Sequence, residues 1–560
     1  MKIALAQINP TVGDFTGNTR KILEYAARAA DAGAELVVFP ELAVCGYPPA
    51  DFLEKRAFIV RAEQALAEIA AWTEPSDRPA ILCGSVMQAA AAVGKQVRNV
   101  AAMMTGGAVR SVQQKMLLPF YDVFDEQRYF EPAADQTLTS LGGEPLAVTI
   151  CEDAWNDKDF WPRQMYPIDP VDRLMGQWKD QPEALAEKQR IILNISASPF
   201  WQGKPQVRQS MLAALARRHN AFVVMVNQVG GNDSLVFDGS SLVLGPNGEV
   251  VARAASFAED MILFDSSAPV VAAIADAPVD DIAAIWDALV LGTRDYVRKC
   301  GFTKALVGLS GGIDSALVAA IAVEALGAEN LIGVGMPTEY SSAGSVEDAR
   351  RLASNLGIRF ELLPIHDAFA TFQSVLHPLF AGTPFGLAEE NLQPRIRGTL
   401  LMAMSNKFGA LVLTTGNKSE MSTGYCTLYG DMVGALAVIG DVMKMRVYAL
   451  SRYANRLKEI IPRETIEKPP SAELRPEQRD TDTLPPYEVL DPILEAYVER
   501  YCSDEEIARE QGVDVRLVRS VLQLVERSEY KRQQAAPVLK VTRKSFGSGR
   551  RFPIAVKVQV

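Results

Sequence analysis

Between Val307 and Gly327 the chain reads VGLSGGIDSALVAAIAVEALG. The apolar run Ala305-Leu306-Val307 enters a short loop, and a helix-forming run leaves it and ends at Gly327, a residue suited to a left-handed C-cap. Gly311 and Gly312 let the backbone turn sharply, so that successive N–H groups converge on an oxyanion. Ser310 and Ser315 add hydroxyl donors, and the helix N-terminus adds a partial positive charge. Asp314 would repel a bare phosphate; it fits if Mg²⁺ bridges it to phosphate oxygens. Two glycines alone would also suit an ordinary strand-to-helix turn. The whole string SGGIDS behind an apolar strand predicts a phosphate loop, and no Gly-Lys-Ser/Thr follows to make it a Walker motif. A strand, a phosphate loop and a helix in that order commit this half of the chain to an α/β layered fold.

The order repeats downstream. Leu331–Met336 reads as a second strand, Ser345–Leu356 as a helix, and Phe360–Leu363 as a third strand ending at His366. A helix follows from Glu390-Asn391-Leu392-Gln393-Pro394-Arg395-Ile396-Arg397 through Phe408. Strand Ala410–Leu413 then runs into Thr414-Thr415-Gly416-Asn417-Lys418-Ser419-Glu420, and GYCTLYGD occupies Gly424–Asp431. This order fits a doubly wound parallel sheet with a nucleotide at the strand ends. Arg395 and Arg397 read either as a solvated face or as phosphate or carboxylate ligands.

The first half also alternates strands and helices. Ile3–Ala6, Leu36–Phe39, Ala80–Leu82, Leu146–Ile150, Ile191–Ile195 and Phe222–Val226 read as strands, and Thr19–Ala32 as a helix. Asn247-Gly248 marks a tight hairpin between Val243-Leu244 and Val250-Val251. Three polar residues stand at strand ends: Glu41, Lys115 and Cys151. Separately they read as a cap, a surface lysine and a buried thiol. Together they make an acyl-transfer site. A thiolate attacks a carboxamide, a carboxylate carries the proton to departing ammonia, and a lysine stabilises the developing charge.

A chain of 560 residues is expected to form more than one domain. The Ala/Pro/Val/Asp stretch at residues 268–281 reads as a linker between domains 1–267 and 282–560, the second opening with a helix over Ile282–Lys299. No apolar run has membrane-spanning length, and the start, MKIALAQINP, lacks a signal-peptide plan. Six scattered cysteines form neither a zinc pattern nor a disulfide framework, which points to a reducing cytoplasm. A net charge of −11 argues against a nucleic-acid partner. The three histidines, His219, His366 and His377, lie in no motif, so a nucleophile here needs another base.

The strings Phe39-Pro40-Glu41-Leu42, Lys115-Met116-Leu117-Leu118-Pro119 and Cys151-Glu152-Asp153-Ala154-Trp155 resemble the nitrilase superfamily, with its Glu-Lys-Cys triad. The run Tyr121–Phe130 is similar to its glutamine-hydrolysing branch. The resemblance implies an α-β-β-α sandwich, with Tyr121, Ser198 and Lys204 holding glutamine and Glu126 as a further carboxylate near the triad. The order SGGIDS, ENLQPRIR, TTGNKSE, LYGD resembles the NAD⁺ synthetase family, whose fold is adenine nucleotide α-hydrolase-like; the fusion of the two resembles its glutamine-dependent form. Carried over by position, Gly308, Leu309, Ser310, Gly311, Gly312, Ile313, Asp314, Ser315 and Thr415 would bind ATP. Asn391, Glu420 and Lys540 would face deamido-NAD⁺, and Asp314 and Glu420 would hold Mg²⁺. Lys468–Leu474 and Asp480–Asp491 resemble the family's mobile loop over the site. Leu428 stands where the ammonia-only branch carries a lysine.

The resemblance implies this reaction: deamido-NAD⁺, ATP, glutamine and water give NAD⁺, AMP, pyrophosphate and glutamate, through an adenylate and ammonia carried internally. It also leads to the expectation of a homo-oligomer. Another glutamine-fed adenylating amidotransferase shares both half-reactions. A tRNA-modifying enzyme would want a basic surface, and a scaffold protein would not need the triad. Ser503–Ser528 could pass for a DNA-binding helix-turn-helix, yet Ile507, Val513, Val518, Val521 and Leu522 equally suit packing into their own domain. The cluster Lys531-Arg532, Arg543-Lys544 and Arg550-Arg551 reads as a solvated face or as a holder of substrate phosphates.

Overall fold

The computed structural model describes residues 1–90, 93–178, 180, 188–268, 274–277 and 280–557. The chain divides into two compact units: 1–232 with 236–279, and 233–235 with 280–560. Of the stretch read as a linker, residues 269–273 and 278–279 lie outside the described residues.

The first unit is built on two six-stranded sheets. One runs, in spatial order, Asp260–Asp265, Lys2–Gln7, Leu36–Val38, Ala80–Gln88, Val97–Thr105, Ala108–Gln114. The other runs Val250–Arg253, Leu242–Leu244, Phe222–Asn227, Ile191–Ser196, Glu144–Ile150, Thr139–Leu141. Strand side chains alternate between faces, and here both faces are buried. Leu146, Val148, Ile150, Leu193, Ile195, Val224 and Val226 meet Ile3, Leu5, Leu36, Val38 and Met103 of the facing sheet. Their neighbours Ala147, Ile192, Val223 and Met225 point outward, against Leu174, Met175 and Trp178 of helix Pro170–Trp178 and Met211, Leu212 and Leu215 of helix Lys204–His219. Helix Arg56–Trp72 packs on the first sheet and against helix Phe15–Asp31. The result is an α-β-β-α sandwich.

The second unit holds a five-stranded parallel sheet in the order Arg359–Leu362, Leu331–Gly335, Lys304–Gly308, Ala410–Thr414, Leu436–Ala437. Strand order reverses at the strand that feeds the phosphate loop, which is where a doubly wound sheet opens a crevice. Leu306, Val334 and Val412 pack with Ile396 and Leu401 of the long helix Leu387–Phe408. Helix Ile313–Leu326 packs against the sheet and against helices Asp281–Lys299 and Lys444–Ala454. The helices Asp504–Gln511 and Val515–Arg527 bury Ile507, Val518, Val521, Leu522 and Val525 against Leu490, Ile493 and Leu494. The helix-turn-helix spacing is therefore a packing pattern.

Three details differ from the expectations. Gly327 has positive φ but extended ψ (91°, 147°), so the helix before it ends without a left-handed cap. The third strand stops at Leu362, and His366 opens helix His366–Phe380. Arg532 and Arg550 are buried and paired with Glu529 and Glu526, so those two members of the basic cluster form no solvated face. Among the described residues no helix is long and apolar enough to cross a membrane.

Candidate active sites

In the first unit Glu41 is fully buried in the turn after strand Leu36–Val38. Its Oε1 accepts from Asn99 Nδ2 and Lys115 Nζ, both at 2.7 Å, and its Oε2 from the Ala197 N–H at 3.0 Å. Gly84 makes this approach possible: a Cβ there would sit 2.4 Å from Leu42 N and 2.5 Å from Pro40 O. Lys115, also fully buried, reaches Glu126 at 2.8 Å, and Glu126 accepts from Tyr47 Oη at 3.0 Å. Burial works against the Lys115 ammonium, yet Glu126 and Glu41 hold its proton on. Burial raises Glu126 to about 7 despite Lys115.

Cys151 opens a single 3₁₀ turn, Cys151–Ala154, directly after strand Glu144–Ile150, and its φ is +45°. A non-glycine residue costs energy there, so something must impose the conformation. Asp153 does so. Its Oδ1 takes the N–H groups of Met116 (3.0 Å) and Leu117 (2.8 Å), and its Oδ2 those of Ile150 (3.1 Å) and the Gln136 amide (2.9 Å). One buried carboxylate thus ties the cysteine's turn to the segment that follows Lys115. Burial, then Glu41, push the thiol well above its usual range, and Lys115 pulls it down. The resting group is a thiol whose ionisation requires a proton acceptor beside it.

Glu152 accepts from Tyr121 Oη at 3.0 Å and Tyr166 Oη at 3.1 Å. Ser198 N donates to Asn227 Oδ1 at 2.9 Å. Lys204, buried at the first position of its helix, donates to Pro199 O at 2.8 Å and lies 5.5 Å above the Trp155 ring. The structure therefore gathers Glu41, Lys115, Cys151, Tyr121, Ser198 and Lys204 around one buried cluster. The sequence reading missed Asn99, Tyr47, Asp153 and Tyr166.

In the second unit a cavity of about 310 Å³ opens at the strand ends. It is lined by Gly308, Leu309, Ser310, Gly312, Ile313, Asp314, Ser315, Thr415 and Glu420. Gly311 has φ +79°, and a Cβ there would lie 2.2 Å from Ser345 O, so only glycine fits. Ser310 and Ser315 brace the loop, with Oγ atoms 3.2 Å apart, and Ser315 Oγ donates to Gly312 O at 3.0 Å. No side chain caps the helix at Gly312, which leaves its first N–H groups for an anion.

Asp314 accepts from Asn417 Nδ2 at 2.9 Å and pairs with Lys444 at 2.5 Å, and Lys444 lies 3.5 Å from Glu420. Burial, then Asp314, raise Glu420 to about 8. Two half-buried carboxylates on either side of one lysine fit a divalent cation, since Mg²⁺ takes one or two carboxylates plus substrate oxygens. Arg397 also lines the cavity, donating to Met336 O at 2.9 Å, and burial lowers it to about 10.

Two residues expected to face deamido-NAD⁺ do not line this cavity. Asn391 is absent from the cavity lining; its Oδ1 accepts from Thr427 Oγ1 at 2.9 Å. Lys540 is buried, donates to Thr542 O and Arg543 O at 2.8 Å each, and also does not line the cavity. Lys444 was not anticipated, although a lysine opening a helix opposes the macrodipole and invites a search for its anion.

The fold and the two sites define a carbon–nitrogen hydrolase joined to a nucleotide-binding synthetase. The family described as carbon-nitrogen hydrolase matches residues 2–161 and 184–276, and that described as NAD synthase matches 285–535. The chain is 49% identical to a glutamine-dependent NAD⁺ synthetase of Synechocystis sp., over 99% of this chain and 98% of the relative. It is 42% identical to one of Thermotoga maritima, with the same coverage of 99% and 98%. A solved glutamine-dependent NAD⁺ synthetase of Acinetobacter baumannii, in complex with ADP, superposes with a TM-score of 0.76 at 41% identity, covering 99% of this chain and 98% of its own. The chain belongs to the glutamine-dependent NAD⁺ synthetase family.

Proposed function

We propose that the chain makes NAD⁺ from deamido-NAD⁺, ATP, glutamine and water, releasing AMP, pyrophosphate and glutamate. The observation that carries this is the buried Glu41–Lys115–Glu126 cluster around Cys151 in a chain that also holds the SGGIDS loop. Cys151 Sγ attacks the glutamine carboxamide as Glu41 takes its proton, and Lys115 stabilises the developing charge. Glu41 returns the proton to departing ammonia, and water then frees glutamate from the thioester. Lys204 suits the α-carboxylate of glutamine and the Tyr121–Glu152 pair its α-ammonium.

In the second unit the nicotinate carboxylate of deamido-NAD⁺ attacks the α-phosphorus of ATP. The phosphate-loop N–H groups and Lys444 hold the departing pyrophosphate, and Asp314 and Glu420 would hold Mg²⁺, which supplies charge neutralisation there. A carboxylate is a poor acyl donor; as an adenylate it loses AMP when ammonia attacks. Ammonia released into water at pH 7 would protonate, so transfer without release follows from the chemistry.

Asn391 and Lys540 keep their assignment to deamido-NAD⁺, which would then extend beyond the cavity lined by the phosphate loop. Helix His366–Phe380 exposes Phe372, Val375 and Leu379, an apolar stripe that supports the expected homo-oligomer. The six cysteines are unpaired, in keeping with a reducing cytoplasm. Arg519 and Arg516 are paired with Asp504 and Asp514, which leaves the helix Val515–Arg527 a poor reader of nucleic acid.

The test is product analysis with deamido-NAD⁺, ATP, Mg²⁺ and glutamine, each omitted in turn, for the parent and Cys151→Ala. The variant should lose synthesis from glutamine and keep synthesis from ammonium chloride. Loss of both in a folded variant would reject this division of labour.

A further inference from the structure

Arg218 lies in the last turn of helix Lys204–His219, far along the chain from every residue of the triad. Four carboxylates surround its guanidinium: Asp157 at 2.9 Å, Asp159 at 3.2 Å, Asp169 at 3.4 Å, and Asp172 in direct hydrogen-bond contact. Lys158 shares Asp172 at 2.6 Å, which still leaves four carboxylates to two cations, so this number calls for a reason beyond charge. Asp157 and Asp159 stand at the start of one loop, Asp169 at its far end, and Asp172 in the first turn of helix Pro170–Trp178, which the loop enters. Asp157 fixes the near end further, its Oδ1 accepting the N–H groups of Asp159 and Phe160 at 2.9 and 2.8 Å. Asp169 fixes the far end by accepting from Asp172 N at 3.1 Å.

Between these ends the chain runs out through exposed residues 162–165 and turns back at Tyr166. Asn156, next to the clamp, holds that return: its Nδ2 donates to Tyr166 O at 2.8 Å and to Ile168 O at 2.7 Å. Tyr166 then presents its hydroxyl to Glu152, the residue after Cys151, opposite the hydroxyl of Tyr121. The helix that carries Arg218 begins with Lys204, and its 16 residues make a strut of roughly 24 Å. The loop bearing Tyr166 and the lysine of the same pocket are therefore referenced to one rigid element.

We propose that Arg218 is a positioning residue for the glutamine pocket: it pins both ends of the loop Asp157–Asp172 to the helix that carries Lys204, and so sets Tyr166 against Glu152. The proposal rests on the glutamine pocket lying at Cys151. It acts on substrate affinity, because Tyr166 touches neither the thiol nor its base in the contacts seen.

The test uses the full chain with deamido-NAD⁺ and ATP saturating, and varies glutamine or ammonium chloride. Arg218→Gln should raise KM for glutamine by about tenfold, the size expected when a charged hydrogen-bond network is broken, and leave kcat and KM with ammonia within about twofold. Tyr166→Phe should shift the same parameter, and Arg218→Lys, able to satisfy one loop end, should fall between parent and Arg218→Gln. In the double variant Arg218→Gln/Tyr166→Phe the glutamine KM should be no worse than in Arg218→Gln alone. An unchanged glutamine KM in Arg218→Gln, equal losses with glutamine and ammonia, or effects that multiply in the double variant would each overturn the clamp. If Arg218→Gln does not fold, the same comparisons apply with Arg218→Lys. Retention of glutamine use by Cys151→Ala would instead overturn the placement of the pocket.

Discussion

Nucleotide binding in the second unit should expel a proton from Glu420. Its carboxyl is raised to about 8, by burial first and by Asp314 next, while Lys444 opposes both. At pH 7 a group of that pKa carries ~0.9 of a proton, falling to ~0.5 at pH 8 and ~0.1 at pH 9. If Asp314 and Glu420 hold Mg²⁺ as proposed, both must be ionised, and binding of Mg²⁺ and ATP would drive that proton out. The proton then costs binding about tenfold at pH 7, and affinity should rise with pH until it levels near pH ~9. Isothermal titration calorimetry of Mg²⁺–ATP in two buffers of different ionisation enthalpy counts the protons released. Protonation of ATP itself cancels in the difference between parent and Glu420→Gln, whose amide mimics the neutral acid. That difference should be ~0.9 of a proton at pH 7 and should vanish by pH 9. A difference of zero at pH 7 would mean that Lys444 alone keeps both carboxylates ionised, and the reasoning would fail.

Gly311→Ala should lower thermal stability by about 1–2 kcal/mol for the left-handed backbone alone, and raise KM for ATP, because the new methyl meets Ser345 O and must push the loop. Asp153→Ala leaves three backbone N–H groups and one amide without their acceptor; calorimetry should show a loss of about 2–4 kcal/mol, with glutamine use impaired more than ammonia use. Glu126 is raised to about 7 from 4.5, so its contribution to stability is complete below pH 4.5 and is lost as pH rises through 7. Between pH 5 and pH 7.5 the parent should lose about 2 kcal/mol that Glu126→Gln does not, measured as the difference between their urea-unfolding curves at those two pH values.

The strands were legible because most are buried on both faces and read as unbroken apolar runs. Several strands escaped notice, among them Asp260–Asp265 and Val97–Thr105; the latter shows why, since its run is broken by Arg98 and Asn99, although Gly106-Gly107 supplies its hairpin turn with φ of +57° and +77°. Asn99, one of the two polar residues that hid that strand, is the one that holds Glu41. The reactive residues were legible from their motifs, whereas their supports were not. Asp153 works through four hydrogen bonds whose partners lie up to 37 positions away, and no local pattern announces them. Some signal did exist for the lysines. Lys204, Lys418 and Lys444 each open a helix, where the macrodipole disfavours a cation, and each is buried. Lys418 lies 2.9 Å from Asp441 and 2.7 Å from Glu499, and Lys444 is bracketed by Asp314 and Glu420. A lysine in that position reads as the cation of a buried pair.

The two sites share an arrangement and differ in what completes it. Each places one buried lysine between two carboxylates: Lys115 between Glu41 and Glu126, Lys444 between Asp314 and Glu420. In each, one carboxyl is raised to a pKa near or above 7, so the trio can rest near neutrality by retaining one proton. Around Lys115 that balance suits a neutral carboxamide. Nothing charged need enter; on the proposed function the proton would pass between Sγ, Glu41 and the leaving nitrogen, and the lysine would meet charge only as the reaction develops it. Around Lys444 the same balance is a poor host for a triphosphate unless a cation enters with it. Under the proposed function Asp314 and Glu420 would hold Mg²⁺ there in place of the retained proton, and Lys444 would be free to neutralise phosphate. On the proposed function, one electrostatic plan would serve proton transfer where the cluster stays closed, and metal-assisted adenylation where it opens onto a cavity.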